Sequence, residues 1–216
     1  MKTYIIKKKA VLIVCIVLII LVAAAAAGYF GYGATLLNPN SDNSIKSVVS
    51  KERYGFEEGL GDREVEILVK KQYGDYFAVL FYALPADGQG TADAYFNVYK
   101  KHKAYANRYE ICHSSGGSGG GDFEMATVCP LTDEDNPSTH VACFFANTPS
   151  SETACSVFEV DTDAFEHPYV RKLEEFTPPQ DEPYIIAKEY DLTKAGNSIT
   201  CQDGSFDLSD VYGEEA

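Results

Sequence analysis

The sequence predicts a mainly β protein: an antiparallel β-sandwich or curved sheet, preceded by one N-terminal transmembrane helix and a short juxtamembrane helix. Two observations predict this class. The N-terminal part of the chain contains a long uncharged apolar run. After it come short β-prone segments separated by turn residues, without the alternation of strands and helices that builds a parallel sheet.

The apolar run from Ala10 to Gly28 holds no charged residue and directly follows Lys7–Lys9. As a helix it would be about 28 Å long, close to the ~30 Å thickness of the hydrocarbon core of a bilayer. Because the lysines lie on its N-terminal side, the positive-inside rule predicts a single-pass protein of the cell membrane, with a cytoplasmic N-terminus and an extracellular C-terminal domain. Tyr29, Phe30 and Tyr32 would then lie at the far interface, where aromatic rings are enriched.

A cleaved signal peptide is the alternative interpretation of the same segment. Lys2–Lys9 would be its basic region, Ala10–Val22 its apolar region, and Ala23–Ala27 offers small-residue cleavage sites. We favour a retained signal anchor because the apolar run is longer than the roughly 7–15 residues of a typical signal peptide. Cleavage would make the rest of the chain a secreted protein.

The predicted organisation has five parts. They are a cytoplasmic basic flank (1–9), the transmembrane helix (10–34), a linker with a short helix (35–55), an extracytoplasmic β-rich domain (56–212) and an acidic tail (213–216). The chain has a formal net charge of -14, and the first 27 residues contain four lysines and no acid. The rest therefore holds 14 basic and 32 acidic residues and has a net charge of -18. Such a domain is repelled by nucleic acid and by anionic lipid, so neither is expected as its partner.

The elements after the membrane segment follow from turn residues and apolar periodicity. Leu36–Ser44 reads as a polar linker, and Asp42 or Ser44 is predicted to cap a short helix that runs to about Arg53. The predicted strands are Glu64–Lys71, Asp75–Leu84, Ala94–Lys100, Tyr105–His113, Phe123–Cys129, Thr139–Ala146, Ala154–Asp161, Tyr184–Tyr190 and Ser198–Gln202. Ser114–Gly121 is predicted to be a flexible loop, and Ala164–Phe176 a short helix or an irregular connection.

Four cysteines are candidates for disulfides in an extracytoplasmic domain. Cys143 and Cys155 lie symmetrically about a predicted turn, and Cys112 and Cys129 lie symmetrically about the Gly-rich loop. Each pair could bridge two strands of a hairpin, with Cys201 left over. The alternative is that all are small buried residues, as free cysteines often are.

A dense basic cluster is the first candidate binding site outside the membrane flank. It comprises Lys100, Lys101, His102 and Lys103, with Arg108 nearby. In an acidic domain this local positive patch could receive an anionic ligand, such as a wall polymer or a lipid headgroup of the outer leaflet. The alternative is an ordinary solvated hairpin turn.

Acidic loops provide a second candidate site. Asp133, Glu134 and Asp135 offer carboxylate oxygens of the kind that hold calcium, although their spacing does not match an EF-hand. Exposed acidic turns are the simpler explanation. No catalytic residue and no cofactor is predicted, and the dispersed histidines form no HxxxH pair for a metal.

The arrangement resembles a common type of protein in Gram-positive bacteria, in which a Lys-flanked single-pass anchor precedes a small extracytoplasmic β-domain. The runs YFAVLFYAL and YFNVYKKHKAYANRY and the Gly/Ser loop carry this resemblance. The resemblance carries over no activity and no site residue. From the sequence as a whole we expect a non-enzymatic membrane protein that presents its domain to another protein or a cell-wall component. Alternatives are a ligand- or calcium-binding sensory module and a hydrolase with no recognisable motif.

Overall fold

The computed structural model describes residues 2–54, 57–85, 92–117, 126–128, 139–148, 154–161 and 169–202. Within them the protein is mainly β, with two helices, α1 (Lys2–Thr35) and α2 (Asp42–Val49). The strands are β1 (Arg53–Tyr54), β2 (Glu57–Glu58), β3 (Glu64–Tyr73), β4 (Tyr76–Leu84), β5 (Asp93–Lys101), β6 (Tyr109–Gly117), β7 (Ala126–Val128), β8 (His140–Asn147), β9 (Cys155–Asp161), β10 (Tyr169–Phe176), β11 (Tyr184–Asp191) and β12 (Ser198–Gln202).

After its basic N-terminal turns, helix α1 exposes apolar side chains along most of its length. Its large apolar side chains between Val14 and Tyr32 are 48–73% exposed. Among the described residues, the β-domain contacts them only near the C-terminal end of the helix, at Tyr29 and Tyr32. The segment Val14–Thr35 is long and apolar enough to cross a membrane, and a signal sequence would meet the same criterion. The predicted N-terminal apolar helix is therefore present.

Helix α2 is short and amphipathic. Ser41 is its N-cap, with the Ser41 side chain accepting a hydrogen bond from the Ser44 backbone N–H (3.3 Å). Its apolar face buries Ile45 and Val49 completely. The cap is thus one residue earlier than the predicted Asp42, and the helix ends before Arg53, which begins β1.

The strands form antiparallel sheets. The first sheet has the order β3-β4-β5-β6, the second β11-β8-β7 and the third β10-β9-β12, while β1 and β2 form a separate pair. The β-rich, antiparallel prediction is confirmed. The β-sandwich is not confirmed, because the sheets do not close into one two-sheet unit.

Three apolar clusters show how the layers are stacked. One face of the first sheet packs against α2 through Phe77, Val79 and Phe81. Its other face meets the second sheet through Leu80 and Phe96. The far face of the second sheet packs in turn against the third sheet. Strand β4 is therefore buried on both faces, which explains why its sequence is a continuous apolar run rather than an alternating one.

Part of the Gly/Ser segment, which the sequence predicts to be a loop, is a β-strand in the structure. Ser114–Gly117, which was predicted to be a loop, lies within β6 and pairs with β5. Gly116 lies opposite Tyr95, and a Cβ at this position would come within 2.4 Å of the Tyr95 ring. Glycine is therefore required here because a neighbouring ring covers the strand. The remaining residues, 118–121, lie outside the described part of the chain.

The prediction of a short helix or irregular connection over Ala164–Phe176 is wrong for its second half. Tyr169–Phe176 is strand β10 and pairs with β9. The register shifts between Lys172 and Glu174, so a bulge interrupts the alternation of apolar and polar residues. This interruption hid the strand from a period-two pattern.

Candidate functional site

The basic cluster predicted from the sequence spans the last two residues of β5, Lys100 and Lys101, and the turn between β5 and β6, residues 102–108. The Lys101 N–H donates to the Asp75 carbonyl (2.7 Å) and the His102 N–H to the Arg108 carbonyl (2.8 Å). Asn107 adopts a positive φ of 54°, a conformation that asparagine tolerates better than most residues. These bonds give the turn a defined shape and place Lys100, Lys101, His102, Lys103 and Arg108 together.

The turn packs directly against the C-terminal end of α1. The rings of Tyr29 and Tyr105 are stacked, with centroids 4.3 Å apart and planes 22° apart. The Tyr105 hydroxyl donates to the Tyr29 carbonyl (2.9 Å), and the Tyr29 hydroxyl donates to the Ala104 carbonyl (2.9 Å). The two tyrosine rings stack on each other, and each hydroxyl donates a hydrogen bond to a backbone carbonyl of the other element. The helix and the turn are therefore joined by both aromatic and polar contacts.

Gly33 lets the helix and the turn approach this closely. A Cβ at Gly33 would lie 2.8 Å from Cε1 of Tyr105, closer than real Cβ contacts allow. Gly31, two residues earlier, has no atom near the position of a Cβ. The absence of a side chain therefore matters at Gly33, and not at Gly31.

The chain that leaves α1 enters the β-domain immediately. Leu36 and Leu37 are buried, and Leu37 exchanges two backbone hydrogen bonds with Tyr109 at the start of β6 (3.0 Å each). The helix end is thus held by Tyr29, Gly33 and Leu37 in succession. Helix and domain are joined by packing contacts over this stretch.

The turn keeps a positive excess in spite of two neighbouring carboxylates. The Lys101 ammonium lies 3.8 Å from Asp75, and Nε2 of His102 lies 4.0 Å from Glu110. The Lys101–Asp75 pair is largely exposed and contributes little stability. Lys103 is exposed and Arg108 is half-buried.

His102 is a partly buried member of the cluster, with a side chain that is 17% exposed. Its ring packs edge-on against Tyr105 and Tyr32. Its Nδ1 accepts a hydrogen bond from the Ala104 N–H (3.1 Å), so a neutral ring carries its proton on Nε2, towards Glu110. We conclude that His102 shapes the turn, while the lysines present its charge.

The two predicted disulfides do not form. Cys112 and Cys155 are both thiols, so one member of each predicted pair is not bridged. Cys143 lies in the second sheet opposite Lys188, whereas Cys155 lies in the third sheet opposite Phe176, so these strands form no hairpin. Cys112 lies on β6, which pairs with β5, and its thiol contacts the Val98 carbonyl (3.2 Å). Cys129 lies outside the described residues.

The predicted calcium loop, Asp133, Glu134 and Asp135, lies outside the described residues. Within the described part of the chain, no group of three or more His, Cys, Asp or Glu side chains is arranged to hold a metal ion. The calcium hypothesis therefore has no structural support from those residues.

Sequence reasoning missed a buried carboxylate, Glu159 on β9. It is inaccessible to solvent, and Arg171 donates to its Oε2 from Nε (2.9 Å) and Nη2 (2.7 Å). Its Oε1 accepts from the Thr193 N–H (2.7 Å), the Thr193 hydroxyl (2.6 Å) and the Asn197 amide (2.7 Å). Burial acts to raise the pKa of Glu159, but these hydrogen bonds outweigh it and hold the pKa below its usual range. The signal was an acid between two apolar residues, Phe158 and Val160, within the strand CSVFEVD.

A second feature that the sequence did not reveal is the pairing of His140 with two acids of β11. Nδ1 of His140 lies 2.9 Å from Asp191, and Nε2 lies 3.4 Å from Glu189. The hydrogen bond to Asp191 is the main cause of a raised pKa for His140. All three side chains are largely exposed, so the cluster is solvated.

Comparisons with known proteins assign no family. No protein-family model matches the chain, and neither a curated protein nor a solved structure matches it. The class that the structure itself defines is a β-rich domain of antiparallel sheets, joined to an apolar N-terminal helix.

Proposed function

We propose that this chain is a single-pass membrane protein that presents its β-rich domain outside the cell for interaction with a protein or a cell-envelope component. One observation supports the proposal most directly: α1 exposes apolar side chains along a length that fits a bilayer. Apolar surface of this extent needs a lipid environment or a partner to cover it.

The junction between helix and domain supports a retained anchor. The last two turns of α1 are engaged by the domain through Tyr29 and Gly33, and the chain then joins the first sheet at Leu37. The helix and the turn thus form one structural unit. A role for α1 in the mature protein accounts for these contacts.

The lysines that precede the apolar run set the proposed orientation. Lys7–Lys9 flank the run, and the next charged residue on its other side is Asp42. The positive-inside rule then places residues after about 35 outside the cytoplasm. In this orientation the acidic domain faces the extracellular side.

The test is fractionation of cells that express the full chain, followed by intact mass measurement of the protein in each fraction. We expect the full-length mass in the membrane fraction, extracted by detergent and retained after washing with alkaline carbonate. A soluble product that begins within Ala23–Ala27 or shortly after would refute the anchor and identify a secreted protein.

Orientation is tested with an impermeant protease added to intact cells. The domain should be digested, whereas a variant in which Lys7, Lys8 and Lys9 are changed to Glu should be protected in part. The matched control changes Lys51, Lys172 and Lys194 to Glu, which reverses the same number of charges away from the helix. Protection of the unmodified chain would contradict the proposed orientation.

A further inference from the structure

The β3–β4 and β5–β6 connections of the first sheet lie side by side and form one basic end. The Lys101 N–H donates to the Asp75 carbonyl, which joins the β5–β6 turn to the β3–β4 turn. The strand register places Lys71 opposite Ala78 and Tyr76 opposite Lys100, near the same end. We define the basic end by its members: Lys70, Lys71, Lys100, Lys101, Lys103 and Arg108.

Most of this charge is accessible. Lys70, Lys71, Lys101 and Lys103 are exposed, and Lys100 is half-buried. The carboxylates that contact the lysines, Asp42 at Lys70 (2.6 Å) and Asp75 at Lys101 (3.8 Å), are themselves exposed and leave a positive excess. The chain as a whole has a net charge of -14, so this local excess is opposite in sign to the average charge of the molecule.

The contacts with α1 fix the height of the basic end above a bilayer. A hydrocarbon core of ~30 Å takes up about 20 helical residues, so a span that starts at Ala10 reaches the interface near Tyr29. The turn contacts α1 at Tyr29 and Gly33, within about one helical turn of that boundary. The headgroup layer is about 5–8 Å thick on each side, so the turn lies at headgroup depth.

The aromatic residues at the junction agree with this depth. Tyr29, Tyr32 and Tyr105 cluster around the helix end, and Phe30 is 73% exposed on it. Tyrosine and other amphipathic rings favour the membrane interface, where one edge is apolar and the other hydrated. Two independent features therefore place the lysines at the depth of the lipid headgroups: the preference of tyrosine rings for the interface and the length of the apolar helix.

We propose that the basic end is a second membrane contact, which binds the phosphate groups of anionic phospholipids around the point where α1 leaves the bilayer. The proposal rests on the membrane anchoring proposed above. Local lysines attract the headgroups, while the acidic remainder of the domain is repelled by the same surface and is held away from it. The domain would thereby stand on the membrane in one orientation.

The test uses the full chain in detergent micelles and native mass spectrometry, with phosphatidylglycerol or phosphatidylcholine as the added lipid. We expect the unmodified chain to bind phosphatidylglycerol preferentially. Each lysine near an anionic surface contributes about fivefold in binding. The variant Lys100→Gln, Lys101→Gln, Lys103→Gln should therefore lose about tenfold or more, since Asp75 already offsets part of the charge.

The matched control changes Lys51, Lys172 and Lys194 to Gln, which removes the same charge from other surfaces and should leave lipid binding within about twofold. Replacing Lys100, Lys101 and Lys103 with arginine should retain the preference for phosphatidylglycerol.

In the unmodified chain the preference for phosphatidylglycerol should weaken as ionic strength rises from about 0.05 M to 0.5 M, because salt screens exposed charges. This last measurement does not depend on any variant folding.

Equal binding of the two lipids by the unmodified chain, or equal binding of phosphatidylglycerol by the Gln and control variants, would overturn the proposal. The same variants are also tested with a soluble glycerol-phosphate polymer. If the Gln variant binds this polymer more weakly than the unmodified chain does, while its lipid binding is unchanged, the ligand is a wall polymer instead. Membrane anchoring is judged separately by fractionation. An anchored chain without lipid preference refutes only this inference, whereas a soluble processed chain refutes the proposed function.

Discussion

Replacing Glu159 with glutamine is predicted to destabilise the β-domain strongly. The substitution keeps the shape of the side chain but removes its charge. It also replaces one acceptor oxygen with an NH2 group, which must face the donors either of Arg171 or of Thr193 and Asn197. Loss of a buried pair by changing one partner costs about 3–5 kcal/mol. Arg171 is 38% exposed and can regain water, so we expect the lower end, about 3 kcal/mol.

Thermal unfolding followed by circular dichroism measures this cost. For a domain of this size, about 1 kcal/mol shifts Tm by 2–4 °C, so a fall of roughly 6–12 °C is expected. Glu175→Gln is the matched control, because Glu175 forms an exposed pair with Lys172 and the loss of such a pair should leave Tm almost unchanged. Equal, small shifts for the two variants would refute the reasoning.

The same network predicts a pH dependence with a definite sign. The pKa of Glu159 is lowered on folding, so its stabilising contribution is present above the unfolded pKa and is lost as the pH falls through the folded pKa. The unmodified domain should therefore lose stability below about pH 4.3, the usual pKa of a glutamate. Glu159→Gln should show a smaller loss over that interval. An identical acid sensitivity would show that another carboxyl dominates.

Three further outcomes are expected. Gly33→Ala should loosen the contact between helix and turn and increase proteolysis there, because a Cβ would displace the ring beneath it, whereas Gly31→Ala should not. Asp191→Asn should lower the pKa of His140 in an NMR titration, since the Asp191 hydrogen bond is the main cause of its rise; an unchanged pKa would contradict this assignment. Cys112 should react with iodoacetamide without prior reduction, and slowly at pH 8, because burial raises its pKa to about 11; a bridged or fast-reacting Cys112 would contradict the structure.

Local patterns predicted most of the strands because single strands carry their own signal. Asp75–Leu84 was predicted from one β-prone run ended by a proline, and β4 spans Tyr76–Leu84. The arrangement of the sheets could not be predicted in this way, because it depends on which sheet faces pack against each other. A local sequence pattern does not specify that packing. A run that is apolar at every position indicates burial on both faces of β4. It does not say what covers each face, and in the structure one face meets α2 and the other meets the second sheet.

The candidate site was predicted as a cluster, but its position was not. Lys100–Lys103 are adjacent in sequence, so their charge density was visible from the start. The stacking of Tyr29 on Tyr105 joins residues 76 positions apart, and no local pattern predicts such a contact. Glu159 illustrates the same limit, since its partners Thr193 and Asn197 approach only when the third sheet has formed.

The junction at the helix end decides what a partner of this protein can reach. Because Tyr29, Gly33 and Leu37 engage the domain one after another, α1 carries the first sheet without a flexible spacer. Strand β4 has nine residues, so the first sheet extends about 30 Å from the basic end. In the proposed arrangement, the surface for a protein or wall partner therefore lies along the sides of the sheet stack or at its far end. In the same proposed arrangement, the basic end faces the membrane.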